Sequence, residues 1–263
     1  MYFDEDMLLD LRLNVMNKFV DFFVIVESKY THQGKVKDKK LNLSDFKKFK
    51  DKIIHIYNES KFENYNSWEK ENFQRNQITK GLIDSKNEDI IMISDVDEIP
   101  NLEKIDFSKI NKYVYAFSQI HSMYKLNLIR DDDWIGTKLC KKKVLISPQW
   151  LRALKVNKKY NIFRLDKYFS KTYYSKFKII RNGGWHFGWL RNSDEIIQKI
   201  NSYAHTEHNI NQNNNKNYIE DCMDKNVSFL NNNEKLLLNE EIDFLPKYIL
   251  KNIDLYRKWI KEK

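Results

Sequence analysis

Residues 90–100 read "IIMISDVDEIP", an apolar run that passes directly into three carboxylates and a proline. A short run rich in β-branched residues is typical of a buried strand, and proline is excluded from the middle of central strands. In extended backbone, residues two positions apart point to the same side, so the carboxylates of Asp95 and Asp97 are predicted to face one point. A fold for this chain therefore needs a buried strand whose carboxyl end opens onto a polar site.

Strand and helix patterns alternate around this segment. Residues 20–27 and 52–57 are compact runs of β-branched and aromatic residues, as in buried strands. A helix is predicted over residues 67–83, because Asn66 can cap it and Glu69 follows three residues later. Strand, helix and strand in alternation favour right-handed crossovers, so the sequence predicts an α/β fold with a mainly parallel sheet flanked by helices.

The remaining elements are less regular, and no internal repeat or linker divides the chain. Apolar residues recur at three- and four-residue steps behind Pro246, which predicts a closing amphipathic helix. The sequence therefore predicts a single domain over residues 1–263. Its other predicted elements are a helix over residues 7–19, strands over 113–120 and 122–129, a helix over 193–205, a polar loop over 209–218 and the closing helix over 246–263.

Composition restricts the class of protein and its compartment. With 41% hydrophobic and 14% aromatic residues, a chain of 263 residues can build a sizeable core. Cys140 and Cys222 lie far apart without a CxxC partner, which favours a reducing compartment. The acidic N-terminus is unlike a signal peptide and no apolar run approaches 18 residues. We therefore expect a cytoplasmic protein.

Two carboxylates that converge on a half-buried site repel each other unless a cation neutralises them. Mg²⁺ or Mn²⁺ meets this need, since such ions are held by few carboxylates and share phosphate oxygens. For Asp95 and Asp97 the alternative is a solvated acidic turn, because DxD triplets also occur by chance. Phosphatases of the haloacid-dehalogenase class use a DxD as well, but on their first strand, whereas this motif follows a later strand and continues Glu-Ile-Pro.

Four segments together resemble glycosyltransferase family 17. In the family's order they are an N-terminal segment that contains "FDEDMLLDLRLN" and "VDFFVIVES", then "DVDEIP", "GGWHFGW" and "LPKYILKN". The resemblance implies a GT-A-like, Rossmann-type fold with a nucleotide-sugar-binding half over residues 1–100 and an acceptor-side half over residues 101–263. It also implies an inverting, metal-dependent transfer of a sugar, by default N-acetylglucosamine from UDP-GlcNAc, to a glycan or lipid-linked saccharide.

The resemblance assigns metal-binding roles to individual residues. Asp97 would bind Mn²⁺ or Mg²⁺ directly, and Asp95 would contact the donor or reach the ion through water. His186, in "RNGGWHFGW", is predicted as a third metal ligand, with a satisfied core histidine as the alternative. Glu98 points away from Asp97 in an extended chain and is expected to orient the loop.

Donor contacts and the catalytic base come from other segments. Arg75, on the helix before the acidic segment, suits a phosphate, and Glu27, at a strand end, suits the nucleoside. Trp185 offers a flat face to a sugar ring, or else belongs to the core. An inverting enzyme needs a base for the acceptor hydroxyl. The sequence leaves this base open among Glu207, Asp194, Glu195 and the acids at 131–133, and it predicts no zinc site at His205, Glu207 and His208 because HExxH spacing is lacking.

The basic stretch at residues 141–181 and the N-terminal segment give expectations about binding partners. Residues 141–181 are rich in Lys and Arg and contain one acid, Asp166, yet no nucleic-acid-binding motif appears. An anionic donor, acceptor or membrane surface would explain this charge, and a solvated Lys-rich surface is the alternative. The apolar stripe of the closing helix is expected to pack on the domain, with at most weak contact between its Lys-rich tail from Lys258 and the inner membrane face. Relatives begin with a short extra strand before the segment at Phe3. This sequence starts two residues before Phe3, so we expect that strand to be missing or short and the donor pocket to be open on one side. The alternative function is therefore a non-catalytic protein that binds a sugar or a polyanion.

Overall fold

The computed structural model describes residues 1–37, 39–156 and 176–262. Strands and helices alternate through the first hundred residues, as the sequence predicts, and the α/β class is confirmed. The elements of this part are α1 (Asp6–Met16), β1 (Phe23–Ser28), β2 (Ile53–Asn58), α2 (Ser67–Asn76), β3 (Ile90–Ile93) and β4 (Glu98–Pro100).

The second part contains short strands with helices between them. Its elements within the described residues are β5 (Val114–Phe117), β6 (Ile120–Met123), β7 (Leu128–Ile129), β8 (Lys138–Lys141), α3 (Pro148–Ala153), β9 (Phe177–Ile180), β10 (Gly184–Gly188), α4 (Ser193–Ile200), α5 (Lys216–Asp224), β11 (Val227–Ser228), β12 (Asn231–Lys235), β13 (Leu237–Leu238), α6 (Lys247–Lys251) and α7 (Ile253–Tyr256).

The sheets combine parallel and antiparallel pairs. β1 and β2 form a parallel pair, while the two larger sheets have the orders β3-β8-β5-β9 and β13-β7-β6-β10-β4. In the first of these β5 and β9 are parallel, and in the second β6 and β10 are parallel, but their other pairs are antiparallel. The prediction of a mainly parallel sheet is therefore not confirmed. One physical reason is that a parallel crossover needs a dozen or more residues, whereas only residues 124–127 separate β6 from β7.

Several predicted boundaries hold because their signals are local. Asn66 and Glu69 form the reciprocal capping box of α2, with N–H···O distances of 3.0 and 2.7 Å. The helix predicted over 67–83 continues past α2 as a 3₁₀ helix from Gln77 to Leu82. The strand predicted over 122–129 is wrong, since Tyr124 has a positive φ of 63° and the chain turns back there.

The polar loop predicted over residues 209–218 is wrong at its end. Helix α5 begins at Lys216, with Asn215 accepting a hydrogen bond from the backbone of Tyr218 at 3.3 Å. Ile219 and Cys222 give this helix a buried face. The run of asparagines looks like low complexity, but its last member serves as an N-cap.

The closing segment packs on the domain but is not one helix. It breaks between α6 and α7 at Asn252, which has a non-helical φ of −127°, and ends in a 3₁₀ turn over Arg257–Trp259. Ile249 and Tyr256 are buried in a cluster with Leu8 of α1 and Ile99 of β4. Among the described residues no helix combines the length and apolar character needed to cross a bilayer.

An apolar cavity of about 770 Å³ separates β1 from β3. β1 pairs with β2 and β3 pairs with β8, but no described pairing joins β1 to β3. Tyr2 donates its backbone N–H to the carbonyl of Val26 at 2.9 Å and forms an isolated parallel bridge with Glu27.

Candidate functional site

The acidic segment forms a turn between the two larger sheets. The backbone N–H of Glu98 donates to the carbonyl of Asp95 at 3.2 Å, so residues 95–98 are not extended as the sequence pattern suggested. Arg12 of α1 holds this turn from behind, donating to the Asp95 carbonyl at 3.3 Å and to the Glu98 carbonyl. Asp95 and Asp97 still line one cavity, but their carboxylates meet different partners.

Glu98 orients the turn, as expected. Its carboxylate is fully buried and accepts hydrogen bonds from Trp134 Nε1 at 2.6 Å and Thr137 Oγ1 at 3.1 Å. The backbone N–H of Asp95 donates to the same carboxylate at 3.2 Å, and Arg152 pairs with it at 2.7 Å. With its oxygens thus occupied, Glu98 fixes the position of the neighbouring acids.

Asp95 lies between two guanidinium groups. Its carboxylate oxygens stand 3.3 Å from Arg75 Nη2 and 2.7 Å from Arg152 Nη2. Burial acts to raise the pKa of Asp95, but Arg152 and Arg75 outweigh it and hold that pKa well below its ordinary value. Asp95 is therefore ionised at neutral pH and holds two cations at the cavity wall.

Asp97 faces a histidine and a lysine instead. Its carboxylate lies 3.7 Å from His186 Nε2 and 3.6 Å from Lys199 Nζ. Its backbone carbonyl accepts the N–H of Phe187 at 2.9 Å, which ties the turn to β10. Burial acts to raise the pKa of Asp97, but Lys199 and His186 outweigh it and lower the pKa far below its ordinary value.

His186 has two aromatic neighbours that the sequence analysis missed. The parallel register of β10 and β6 places His121 beside it, with ring centroids 4.5 Å apart, and Trp134 stacks on it at 4.4 Å. Burial, with His186 and Arg130 nearby, lowers the pKa of His121 to about 3. The sequence does contain a signal for His121, because a histidine interrupts the largely apolar run "YAFSQIHSMY".

These groups line a cavity of about 530 Å³, within the usual range of about 300–1,000 Å³ for small-molecule sites. Cations surround the two aspartates, and aromatic side chains contribute flat faces. The basic lining residues are Lys37, Arg75, Arg130, Arg152 and Lys199, and the aromatic ones include Trp68, Trp134, Trp189 and Tyr203. The described lining also holds five carboxylates, from Glu5, Glu71, Asp95, Asp97 and Glu98, so acids and cations are balanced in number. Cationic side chains beside flat aromatic faces suit a ligand that carries both phosphate and sugar.

Two predicted donor contacts lie elsewhere. Glu27 is fully buried and accepts from Leu41 N at 2.9 Å and pairs with His55 at 3.0 Å and with Lys37, so it anchors the loop after β1. Trp185 packs in the core with the closing segment and donates its indole N–H to Phe244 at 2.8 Å. Alternation along β10 sends His186 and Trp185 to opposite sides.

The predicted base positions are dispersed. Asp194 pairs with Lys216 at 2.6 Å on the surface, and Glu195 completes the capping box of α4. Asp132 lies 3.3 Å from His121 Nδ1, and Asp133 accepts from Ser118. Glu207, at the cavity rim, pairs with His205 at 2.7 Å. None of these acids contacts Asp95 or Asp97 in the described contacts.

The basic stretch predicted at 141–181 is divided. Arg152 reaches the cavity, whereas Lys141 and Lys143 pair with Glu88 at the surface. Residues 157–175, with Asp166, lie outside the described part of the chain. Helices α2, α3 and α4 contribute Arg75, Arg152 and Lys199 to the cavity, and of these only Arg152 belongs to the basic stretch.

Comparison with known proteins identifies the family. The model of glycosyltransferase family 17 matches residues 1–257 of the 263. Neither the curated proteins nor the solved structures contain a significant match. The family match covers nearly the whole chain, including the acidic turn, β10 and most of the closing segment. The chain therefore belongs to glycosyltransferase family 17, and its general activity is glycosyl transfer.

Proposed function

We propose that the chain transfers a sugar from a nucleotide-sugar donor to a saccharide acceptor with a divalent cation bound at Asp97 and His186. The supporting observation is that the Asp97 carboxylate and the His186 imidazole approach to 3.7 Å inside a cavity lined by acidic, basic and aromatic side chains. Metal–ligand bonds of about 2.0–2.2 Å place two neighbouring ligands of one ion about 3–4 Å apart. By resemblance of the four motifs, UDP-GlcNAc is the default donor and the transfer inverts the anomeric centre.

The donor set favours Mn²⁺ over Mg²⁺. One carboxylate oxygen and one imidazole nitrogen suit Mn²⁺, whereas Mg²⁺ prefers oxygen ligands alone. Nδ1 of His186 is buried without a hydrogen-bond partner among the described residues, so no such bond fixes its tautomer. Nε2 is the ring nitrogen that faces Asp97, so it would be the atom that binds the ion. When bound, the ion would offset charge that develops on the departing nucleoside diphosphate.

Three side chains of the protein would hold the diphosphate. Arg75 and Arg152 flank Asp95, and guanidinium groups recognise phosphate through paired hydrogen bonds. Lys199, 3.6 Å from Asp97, would act as a point charge beside the ion. Asp95 keeps both arginines oriented before the donor arrives, which lowers the cost of binding.

The aromatic part of the lining suits the saccharides. Trp68 and Tyr203 line the same cavity, and the Tyr203 hydroxyl is buried without a partner among the described residues. Flat rings with a polar tip can cover an apolar sugar face and also bond a hydroxyl. We assign these residues to the acceptor side of the cavity.

Release of free UDP from UDP-GlcNAc tests the proposal, because transferases commonly pass some sugar to water. We expect Mn²⁺-dependent release by the native protein and at least a tenfold loss in Asp97→Asn and in His186→Gln. Glu63→Gln, at an exposed surface pair with Lys61, is the matched control and should behave like the native protein. UDP release that is independent of Mn²⁺, or unchanged in Asp97→Asn, would contradict the assigned role.

A panel of nucleotide sugars in thermal-shift measurements identifies the donor. A ligand that binds only the folded state stabilises it by about 2.7 kcal/mol at a hundredfold excess over Kd. UDP-GlcNAc should give the largest shift, and only when Mn²⁺ is present. Binding of donor without turnover in any acceptor mixture would instead support the non-catalytic binding protein.

A further inference from the structure

His205, Glu207 and His208 form a cluster at the rim of the cavity. One ligand atom from each lies within 4.8 Å of the others. A single 3₁₀ turn, Thr206–His208, brings them together, and it is closed by the N–H of His208 donating to the His205 carbonyl at 3.1 Å. Asn213 also donates to the His208 carbonyl at 3.0 Å. The backbone of the cluster is therefore fixed by bonds that do not involve the three side chains.

Aromatic neighbours restrict both imidazoles. His205 meets the indole of Trp68 edge-on, with ring centroids 4.4 Å apart. His208 is stacked with Tyr203 at 6.3 Å, and the two histidine rings are themselves stacked at 5.7 Å. Rings held in this way lose little further side-chain freedom when they bind a ligand.

The cluster has the ligand chemistry of a transition-metal site. Two imidazole nitrogens and one carboxylate oxygen are a common protein set for Zn²⁺, with bonds of about 2.0–2.2 Å and a fourth position open. Ligand atoms of a tetrahedral ion stand about 3.5 Å apart. Side-chain rotation must therefore widen the 2.7 Å contact between His205 and Glu207 and adjust the other separations, which lie within 4.8 Å. Glu207 is half exposed, and its pair with His205 at 2.7 Å is of a kind that adds little stability.

We propose that His205, Glu207 and His208 bind a Zn²⁺-like transition-metal ion at the rim of the cavity, distinct from the cation site at Asp97. The two sites share no ligand. Lys199 connects them, since it approaches Asp97 at 3.6 Å and lies over the Trp189 ring, which contacts Tyr203. A bound ion would lock the rim against Trp68 of α2 and so shape the entrance. The sequence predicted no zinc site here because HExxH spacing is lacking, but that spacing belongs to a helical zinc-hydrolase motif, and here a 3₁₀ turn brings the three side chains together instead. The proposed zinc site does not depend on the proposed transfer reaction.

Zinc binding to a protein without an affinity tag tests the proposal. The variant Asp97→Asn/His186→Gln removes the ligands of the inner site, so any zinc that it binds belongs elsewhere. Calorimetry should find about one equivalent of Zn²⁺ bound to this variant, and Co²⁺ should give the intense visible bands of a tetrahedral site. Adding His205→Gln and His208→Gln should weaken this binding at least 100-fold.

A separate pair of variants tests whether the Glu207 carboxylate binds the zinc ion. In the same background Glu207→Gln should weaken zinc binding at least tenfold. Glu63 is also an exposed glutamate in an ion pair, with Lys61 instead of His205, and Glu63→Gln should leave zinc binding unchanged. Circular dichroism and the melting temperature without metal check that each variant is folded. Zinc binding that survives removal of both histidines, or that is equal in Glu207→Gln and Glu63→Gln, would overturn the proposal.

Discussion

Asp95 and Asp97 are two residues apart but have different partners. Asp95 lies between Arg75 and Arg152, while Asp97 faces His186 and Lys199. The turn at residues 95–98, rather than the alternation of a strand, creates this difference. It separates an acid that holds cations of the protein from an acid that is available to an added ion.

The first prediction compares the two acids in stability. Asp95→Asn removes the countercharge of two largely buried guanidinium groups, and we expect a loss of about 2 kcal/mol in the free energy of unfolding at pH 7. Asp97→Asn should lower this free energy by less than Asp95→Asn does, because the cation neighbours of Asp97 lie at 3.6 Å or more. Urea unfolding of both variants measures the difference. An equal loss in both would contradict the division of roles.

The second prediction concerns the pH dependence of the same variant. The pKa of Asp95 is lower in the folded protein than in the unfolded chain, where it is near 3.8. Its contribution to stability is therefore complete above about pH 4 and is lost as the pH falls below that value. The stability difference between native protein and Asp95→Asn should shrink when urea unfolding is repeated at pH 3. A difference that stays constant from pH 7 to pH 3 would show that the charge of Asp95 is not its cause.

At the scale of elements, the sequence predicts individual helices and strands but not which strands pair with each other. Caps and apolar periodicity identified α1, α2, β1, β2 and β3 because these signals lie within each segment. Nothing in "GGWHFG" shows that β10 pairs with β4 on one side and β6 on the other. His121, Trp134, Arg152 and Lys199 were missed as site residues for this reason, since they reach His186 and the acidic turn only through the tertiary fold.

The third prediction tests the packing of the closing segment. Ile249 of α6 is fully buried, whereas Leu255 of α7 is 69% exposed. Ile249→Ala should lower the free energy of unfolding by about 2–5 kcal/mol, and Leu255→Ala by no more than about 0.5 kcal/mol. Denaturant unfolding of the pair provides the comparison. If both substitutions are harmless, the segment does not pack on α1 and β4 as described.

The fourth prediction concerns the glycine that starts β10. Gly184 has a φ of 128°, and a Cβ there would lie 2.3 Å from the carbonyl oxygen of Ile99. The steric overlap depends on the pairing of β10 with β4, which the sequence pattern does not reveal. Gly184→Ala should cost at least about 2 kcal/mol of stability through strain and steric overlap.

Gly34→Ala is the control for that substitution. Gly34 also has a positive φ, of 89°, but a Cβ there meets only the flexible end of Lys70, at 3.2 Å. Gly34→Ala should lower the free energy of unfolding by about 1 kcal/mol, which is the cost of the backbone conformation alone. Similar melting temperatures for the two variants would argue against steric overlap at Gly184.

At the scale of the whole molecule, the cavity draws side chains from both larger sheets. The acidic turn connects β3 of one sheet to β4 of the other, and helices α2, α3 and α4 contribute Arg75, Arg152 and Lys199. The sequence predicted the α/β class and the family, and it identified Asp95 and Asp97 but not the turn that separates them. It did not predict the mixed sheets, because strand order depends on contacts between distant segments.

The measurement that tests the role of the acidic turn most directly is calorimetric titration of UDP into the native protein and into Asp97→Ala. We expect binding of UDP to the native protein with Mn²⁺ present, and affinity at least 100-fold lower after chelation of the metal. Asp97→Ala should show the low affinity under both conditions, because the ion has lost its carboxylate ligand. Equal UDP affinity with and without Mn²⁺, or an unchanged metal requirement in Asp97→Ala, would contradict the assignment of the metal to Asp97.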